Sequence, residues 1–266
     1  MSGKLLKDKL IKGDRVFGTF FQHAICPAVV DFLPPGALDF VIVTAEHNAL
    51  DIADFLPVKY ALNAKGIACL ARTHSRDPDD VSKVCDSYDG VVVPYVEEVA
   101  HAKALAAAAV YRPLKGRALQ KAIDKNEWPS QKTKDYIANV RCADTVFIPM
   151  IESLAGIDNL DAICSIPGVH AVFVGPNDLA ASMRDATGRP PAPDVFKQAL
   201  ADILAAAKRI GVPAGIHTFS IEEAKARIAE GWQFIAVNSE LKFMSDGAKA
   251  VVDGLGLGKG GALAKY

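Results

Sequence analysis

The chain has 266 residues, half of them hydrophobic, with a formal net charge of −1. That length suits one large α/β core and buries enough apolar surface to need no disulfide staples. The near-neutral charge, with no basic stretch interleaved with aromatics, argues against a nucleic-acid partner, and the longest apolar run, ALAAAAV at 104–110, is far too short to span a membrane.

The N-terminus, MSGKLLKDKLIKGDR, alternates charge with single leucines and lacks the apolar block of a signal peptide. The five cysteines, Cys26, Cys69, Cys85, Cys142 and Cys164, form no CxxC pair and fall mostly in apolar segments. They read as free thiols of a reducing compartment, so a soluble cytoplasmic protein is expected.

In chain order, β-branched runs alternate with segments of helical period. The predicted strands are 15–21, 40–46, 67–72, 90–96, 145–152, 171–176, 213–219 and 234–239. Between them lie segments such as DPDDVSKVCDS, VEEVAHAKALAAAAV, DVFKQALADILAAAKRIG and SIEEAKARIAEG, whose apolar residues recur every three or four positions. Asp or Ser at their starts supplies N-caps, and Gly66, Gly211 and Gly231 supply left-handed stops. Eight strands apolar on both faces, each followed by a helix, predict a (β/α)₈ TIM barrel of one domain over 1–266, with an open doubly wound sheet as the alternative. Two longer segments, 116–140 and 184–194, are expected at the catalytic face as lid or substrate-contact elements. The tail over 254–266 is expected to be flexible or an oligomer arm, and its GxGxxG at Gly256, Gly258 and Gly261 follows no strand, so it is no nucleotide fingerprint.

In a closed barrel, chemistry gathers where strands end. Strand 2 delivers Glu46 and His47, strand 3 Arg72, strand 5 Glu152, and strand 6 Asp178 just past Gly175 and Pro176. Two carboxylates on neighbouring strands repel unless a cation or a proton lies between them, and Mg²⁺ or Mn²⁺, with its preference for oxygen, is the natural partner. The plainer alternative is that each of the two carboxylates only N-caps the helix that follows it. Gly175, Pro176 and Asn177 allow close backbone approach, so the amides at the start of that helix suit a substrate carboxylate. Arg72 can polarise a carbonyl or enolate oxygen, and His47 can serve as a general base. His23 and His217 are read as structural. None of the expected strands contains lysine, which leaves Schiff-base chemistry without an evident nucleophile.

At these residues the chain resembles the metal-dependent (class II) pyruvate aldolases of the HpcH/HpaI family. The likeness runs from GTFFQHAICPAVVDFL through Glu46-His47, LAR ending at Arg72, VVVPYVEEVAHA and MIE ending at Glu152 to IPGVHAVFVGPNDLAASM. Arg72 follows His47 by 25 positions and Asp178 follows Glu152 by 26, as in the family. The resemblance implies Glu152 and Asp178 as ligands of Mg²⁺ or Mn²⁺, with Co²⁺ a further candidate, Arg72 as the residue that stabilises an enolate, and His47 as the base, acting through a water. It implies a 2-oxo acid and an aldehyde as substrates. The family aspartate that supports the base corresponds to Asp86, or to Asp89 by a one-residue shift. Because it precedes a strand, it could reach His47 only from another subunit, as in a homohexamer, a trimer of dimers, that exchanges C-terminal helices, here 241–255. Four departures bear on substrate range: Thr44-Ala45 where Asp-Gly is common, Met150 for a glutamine, Asn177 for a small residue, and Val237-Asn238-Ser239-Glu240 for Val-Gly-x-Asp. An acyl-CoA lyase and a barrel that binds an oxo acid without turnover are the other readings.

Overall fold

The structure is a computed structural model and describes residues 2–256. Eight parallel strands form one sheet: β1 (Val16–Phe21), β2 (Phe40–Thr44), β3 (Ala68–Arg72), β4 (Gly90–Val93), β5 (Val146–Pro149), β6 (Val172–Val174), β7 (Ala214–Thr218) and β8 (Phe234–Ser239). The order β5-β4-β3-β2-β1-β8-β7-β6 is closed at its seam by a bridge between Met150 and Phe173, and by the Ile151 amide donating to the Phe173 carbonyl at 2.8 Å. This is the expected (β/α)₈ barrel rather than an open sheet. Several strands end earlier than the apolar runs suggest, because the chain leaves the ladder to build the mouth. His47, Tyr95 and Asn238, just past β2 and β4 and near the end of β8, have φ of 68°, 48° and 54°. Such left-handed backbone is disfavoured for residues with a Cβ.

The helices are α1 (Ser2–Lys12), α2 (Leu56–Ala64), α3 (Pro78–Cys85), α4 (Val99–Val110), α5 (Gly116–Lys125), α6 (Gln131–Tyr136), α7 (Leu154–Asp158), α8 (Leu160–Cys164), α9 (Pro176–Ser182), α10 (Pro193–Ile210), α11 (Ile221–Glu230) and α12 (Glu240–Gly254). The side chains of Asp77 and Ser220 cap α3 and α11, and Gly211 and Gly231 end α10 and α11 in the left-handed region, as their chemistry requires. Inside the barrel, Phe40 stacks on Phe234 at 4.0 Å between ring centroids, and Gly18 gives Phe40 its room. Leu6 and Leu10 of α1 join this interior cluster, which is thereby covered at the end where strands begin. The outer faces of the strands pack under the helices in two further clusters.

The placement of 116–140 is corrected. Helix α4 has already carried the chain to the far end of the barrel, so α5 and α6 lie there and not at the mouth of their own subunit. Arg112 donates to Asp86 Oδ1 (3.0 Å) and to the Cys85 carbonyl, and Lys7 of α1 donates to the Cys142 carbonyl (3.0 Å). The segment 184–194 is a self-contained turn in which the Asp185 carboxylate takes hydrogen bonds from Thr187 and Arg189. It does not line the cleft at the mouth. Helix α12 touches the barrel at β1 and β8, contains no buried residue and exposes Phe243, Met244 and Val251. The tail expectation for 257–266 lies outside the described residues.

Candidate active site

The strand ends surround a cleft of about 340 Å³ lined by residues that include His47, Arg72, Met150, Gly175, Asn177 and Asp178. Its acidic side is built on Tyr95. The Tyr95 amide donates to Glu152 Oε2 at 3.1 Å, and its hydroxyl donates to Asp178 Oδ1 at 3.3 Å, so one residue of the β4 exit holds carboxylates delivered by β5 and β6. Glu152 is 1% exposed. Burial pushes its carboxyl up to about 8, with further repulsion from Asp178 and Glu46, against the opposing pull of the Tyr95 amide and Arg72. Gly175 makes this packing feasible, since a Cβ there would overlap the Glu152 carboxylate. Asp178 stands in the first turn of α9, whose N-cap is Gly175, and the N-cap of α7 is Ser153 rather than Glu152, so the plain N-cap reading does not hold.

Arg72 is 8% exposed and held from two sides. Its Nε donates to Thr44 Oγ1 at 2.9 Å, Nη1 lies 3.0 Å from Glu46 Oε2, and the guanidinium carbon sits 5.2 Å from the centroid of the Phe20 ring. Thr44, which stands where aspartate is common in the family, thus anchors the arginine. His47 projects into the cleft mouth with its side chain 66% exposed, its Nε2 3.9 Å from Glu46 Oε1. Asn48 fixes this corner by donating to the carbonyls of Gln22 and Thr44.

Asp86 lies at the other end of the barrel, beyond α3, paired with Arg112 and Arg141. Asp89 is buried and structural, accepting from the Cys69 amide (2.8 Å) and Asn63 (2.6 Å). The structure thus assembles His47, Arg72, Glu152, Gly175, Pro176, Asn177 and Asp178 at one mouth and leaves Asp86 outside it. Sequence reasoning missed Tyr95, although it stands in a motif already quoted. It placed Glu46 at the mouth without giving it a role, and read as structural His217, which lines the cleft.

Among the described residues, no group of three or more His, Cys, Asp or Glu side chains is arranged to hold a metal ion. Two carboxylates suit a hard divalent cation that completes its shell with water and substrate oxygens. The raised Glu152 carboxyl fits that reading, because a cation would offset both the cost of burying the carboxylate and its repulsion by Asp178 and Glu46.

Known proteins are similar to this chain in sequence and in fold. A 5-keto-4-deoxy-D-glucarate aldolase from Salmonella arizonae is 30% identical over 228 residues, 85% of this chain and 87% of that protein. An HpcH/HpaI aldolase/citrate lyase family protein from Burkholderia cenocepacia J2315 superposes with a TM-score of 0.77 at 24% identity, over 95% of this chain and 99% of the other. The citrate lyase beta subunit from M. tuberculosis, complexed with oxaloacetate and magnesium, shares the fold at a TM-score of 0.54 and 18% identity, over 88% and 95% of the two chains. The sequence profile of the HpcH/HpaI aldolase/citrate lyase family matches residues 19–246, and the chain belongs to that family, as an enzyme of the aldolase and lyase type.

Proposed function

We propose that this chain is a divalent-metal-dependent aldolase that cleaves and forms carbon–carbon bonds of 4-hydroxy-2-oxo acids, with pyruvate or a close relative as the nucleophilic half and an aldehyde as the other. The observation that carries the proposal is the meeting of Glu152 and Asp178 on Tyr95, at a cleft that Arg72 and His47 also line.

Glu152 and Asp178 would hold Mg²⁺ or Mn²⁺, with Co²⁺ as an alternative. When bound, the ion would supply positive charge that lowers the cost of enolate formation. Arg72, kept in place by Thr44 and Glu46, presents its remaining donors to the developing enolate oxygen. Gly175, Pro176 and Asn177 flank the substrate carboxylate, with the amides of Asn177 and Asp178 free in the first turn of α9. His47 moves the proton, its exposed ring able to exchange it with water. Asp86 can act on a His47 only in a second copy, consistent with a homo-oligomer, a trimer of dimers, in which the apolar face of α12 is exchanged between subunits. No helix among the described residues is long and apolar enough to cross a membrane, and we place the enzyme, as one domain, in the cytoplasm.

The test is hydrogen exchange at the pyruvate methyl group in D₂O, followed by proton NMR. Exchange should require Mg²⁺ or Mn²⁺, stop on chelation and vanish in Glu152→Gln. Undiminished aldol cleavage after exhaustive chelation would remove the metal-dependent reading.

A further inference from the structure

The β7 side of the cleft carries a histidine that the proposed reaction leaves without a role. His217 lies near the end of β7, half-buried, its ring 4.7 Å from Phe20 and 4.5 Å from Phe219 between centroids. Its Nε2 is 3.1 Å from the carbonyl of Asn238. A carbonyl only accepts, so this contact places the proton on Nε2 and leaves Nδ1 as a lone-pair acceptor. Asn238 holds its carbonyl there by adopting left-handed backbone, φ 54°, and the same carbonyl takes a bond from Thr19 Oγ1 at 3.2 Å. That costly conformation at a strand end marks a built feature rather than a chance contact. Burial, and to a smaller degree the positive charge of Arg72, hold the ring's pKa down to about 4, against the pull of the Asn238 carbonyl, so the imidazole is uncharged near neutrality.

Among the described residues, Nδ1 has no hydrogen-bond partner in the protein. The ring lines the cleft, and Nδ1 is the acceptor it can offer there. A neutral acceptor between two aromatic rings is a poor neighbour for a carboxylate or an aldehyde oxygen and a good one for a hydroxyl. We propose that His217 is a specificity-determining residue whose Nδ1 accepts a hydrogen bond from a hydroxyl group on the aldehyde-derived part of the substrate, selecting hydroxyaldehydes over plain aliphatic ones. The inference rests on the aldolase reading for the word aldehyde, but the state and contact of the ring can be observed without turnover.

Two measurements separate the two ideas. With ¹⁵N-labelled histidine, long-range ¹H–¹⁵N spectra of the full chain should show His217 protonated on Nε2 alone at neutral pH. Adding glycolaldehyde should move its Nδ1 resonance, while propanal, of the same size with methyl in place of hydroxyl, should leave it in place. A proton on Nδ1, or equal responses to the two aldehydes, overturns the proposal whether or not the protein is an aldolase. In the second measurement, aldol addition of pyruvate is compared for the same pair. The ratio of kcat/KM, glycolaldehyde over propanal, should fall about tenfold in His217→Leu, and His217→Asn, which keeps an oxygen acceptor near Nδ1, should retain part of the preference. The ratio is internal to each variant, so a general loss of activity cancels, and an unchanged ratio in His217→Leu refutes the assignment. Absence of pyruvate exchange in the wild-type protein would strike the aldolase reading instead, leaving the spectra to decide for His217.

Discussion

Replacing Glu152 by glutamine removes one ionisable oxygen pair from a site that otherwise keeps its shape, and the consequence for folding can be worked out before any activity is measured. The Glu152 carboxyl is raised from 4.5 to about 8, first by burial and then by the repulsion of Asp178 and Glu46. A raised folded-state value means that the native protein holds this proton more tightly than the unfolded chain does. Its stabilising effect is therefore complete below the unfolded value and is lost as pH rises through the folded one. At about 1.4 kcal/mol for each tenfold change in proton affinity, the full displacement corresponds to a ceiling of roughly 5 kcal/mol. Glutamine has no such proton. In urea unfolding with chelator present, from about pH 5 to about pH 9, wild-type protein should lose stability relative to Glu152→Gln as pH rises. A divalent ion at about a hundred times its Kd should restore about 2.7 kcal/mol to the wild type at the alkaline end and little to the variant. Parallel stability curves for the two proteins would refute the argument, because they would show that the carboxylate is neither desolvated nor crowded.

Arg72→Ala should lower kcat/KM by about 2–4 kcal/mol of transition-state stabilisation, seen mainly in kcat if the guanidinium meets charge only in the enolate; a loss confined to KM reassigns it to docking. Gly175→Ala should abolish divalent-ion binding by calorimetry while the far-ultraviolet circular dichroism is retained, since the new Cβ collides with the Glu152 carboxylate; unaltered binding would show that the carboxylate is free to move aside. Asp86→Asn should depress the rate chiefly at low pH if Asp86 raises the basicity of a histidine in a second copy, and a uniform loss across pH would confine it to its pairs with Arg112 and Arg141.

The fold was legible because each strand is a short β-branched run closed by helix-start or helix-stop chemistry, and that pattern survives even when strand ends are misjudged by a few residues. The residues that the mouth shares were legible for the same reason, since in a parallel barrel every strand delivers its last side chains to one end. What could not be read depends on backbone direction. Segment 116–140 was assigned to the wrong end because a long insertion near a strand looks alike before and after its helix, although α4 reverses the chain between them. Tyr95 carries its role partly through a peptide N–H, which no residue type announces, and His217 reads as structural because nothing in the sequence says that its ring lines the cleft. Thr44 was read by what it lacks relative to aspartate, whereas its hydroxyl proved to be the anchor of Arg72.

The three left-handed residues at the strand exits carry one last implication. His47, Tyr95 and Asn238 each occupy a conformation that glycine tolerates better. Each forgoes of order 1 kcal/mol of stability. At Asn238 the conformation serves a main-chain carbonyl that meets His217 and Thr19, and glycine would keep it, so heat resistance gained there should leave turnover intact. At His47 and Tyr95 glycine would remove a side chain that the proposed reaction uses, and the same gain should come at the expense of turnover.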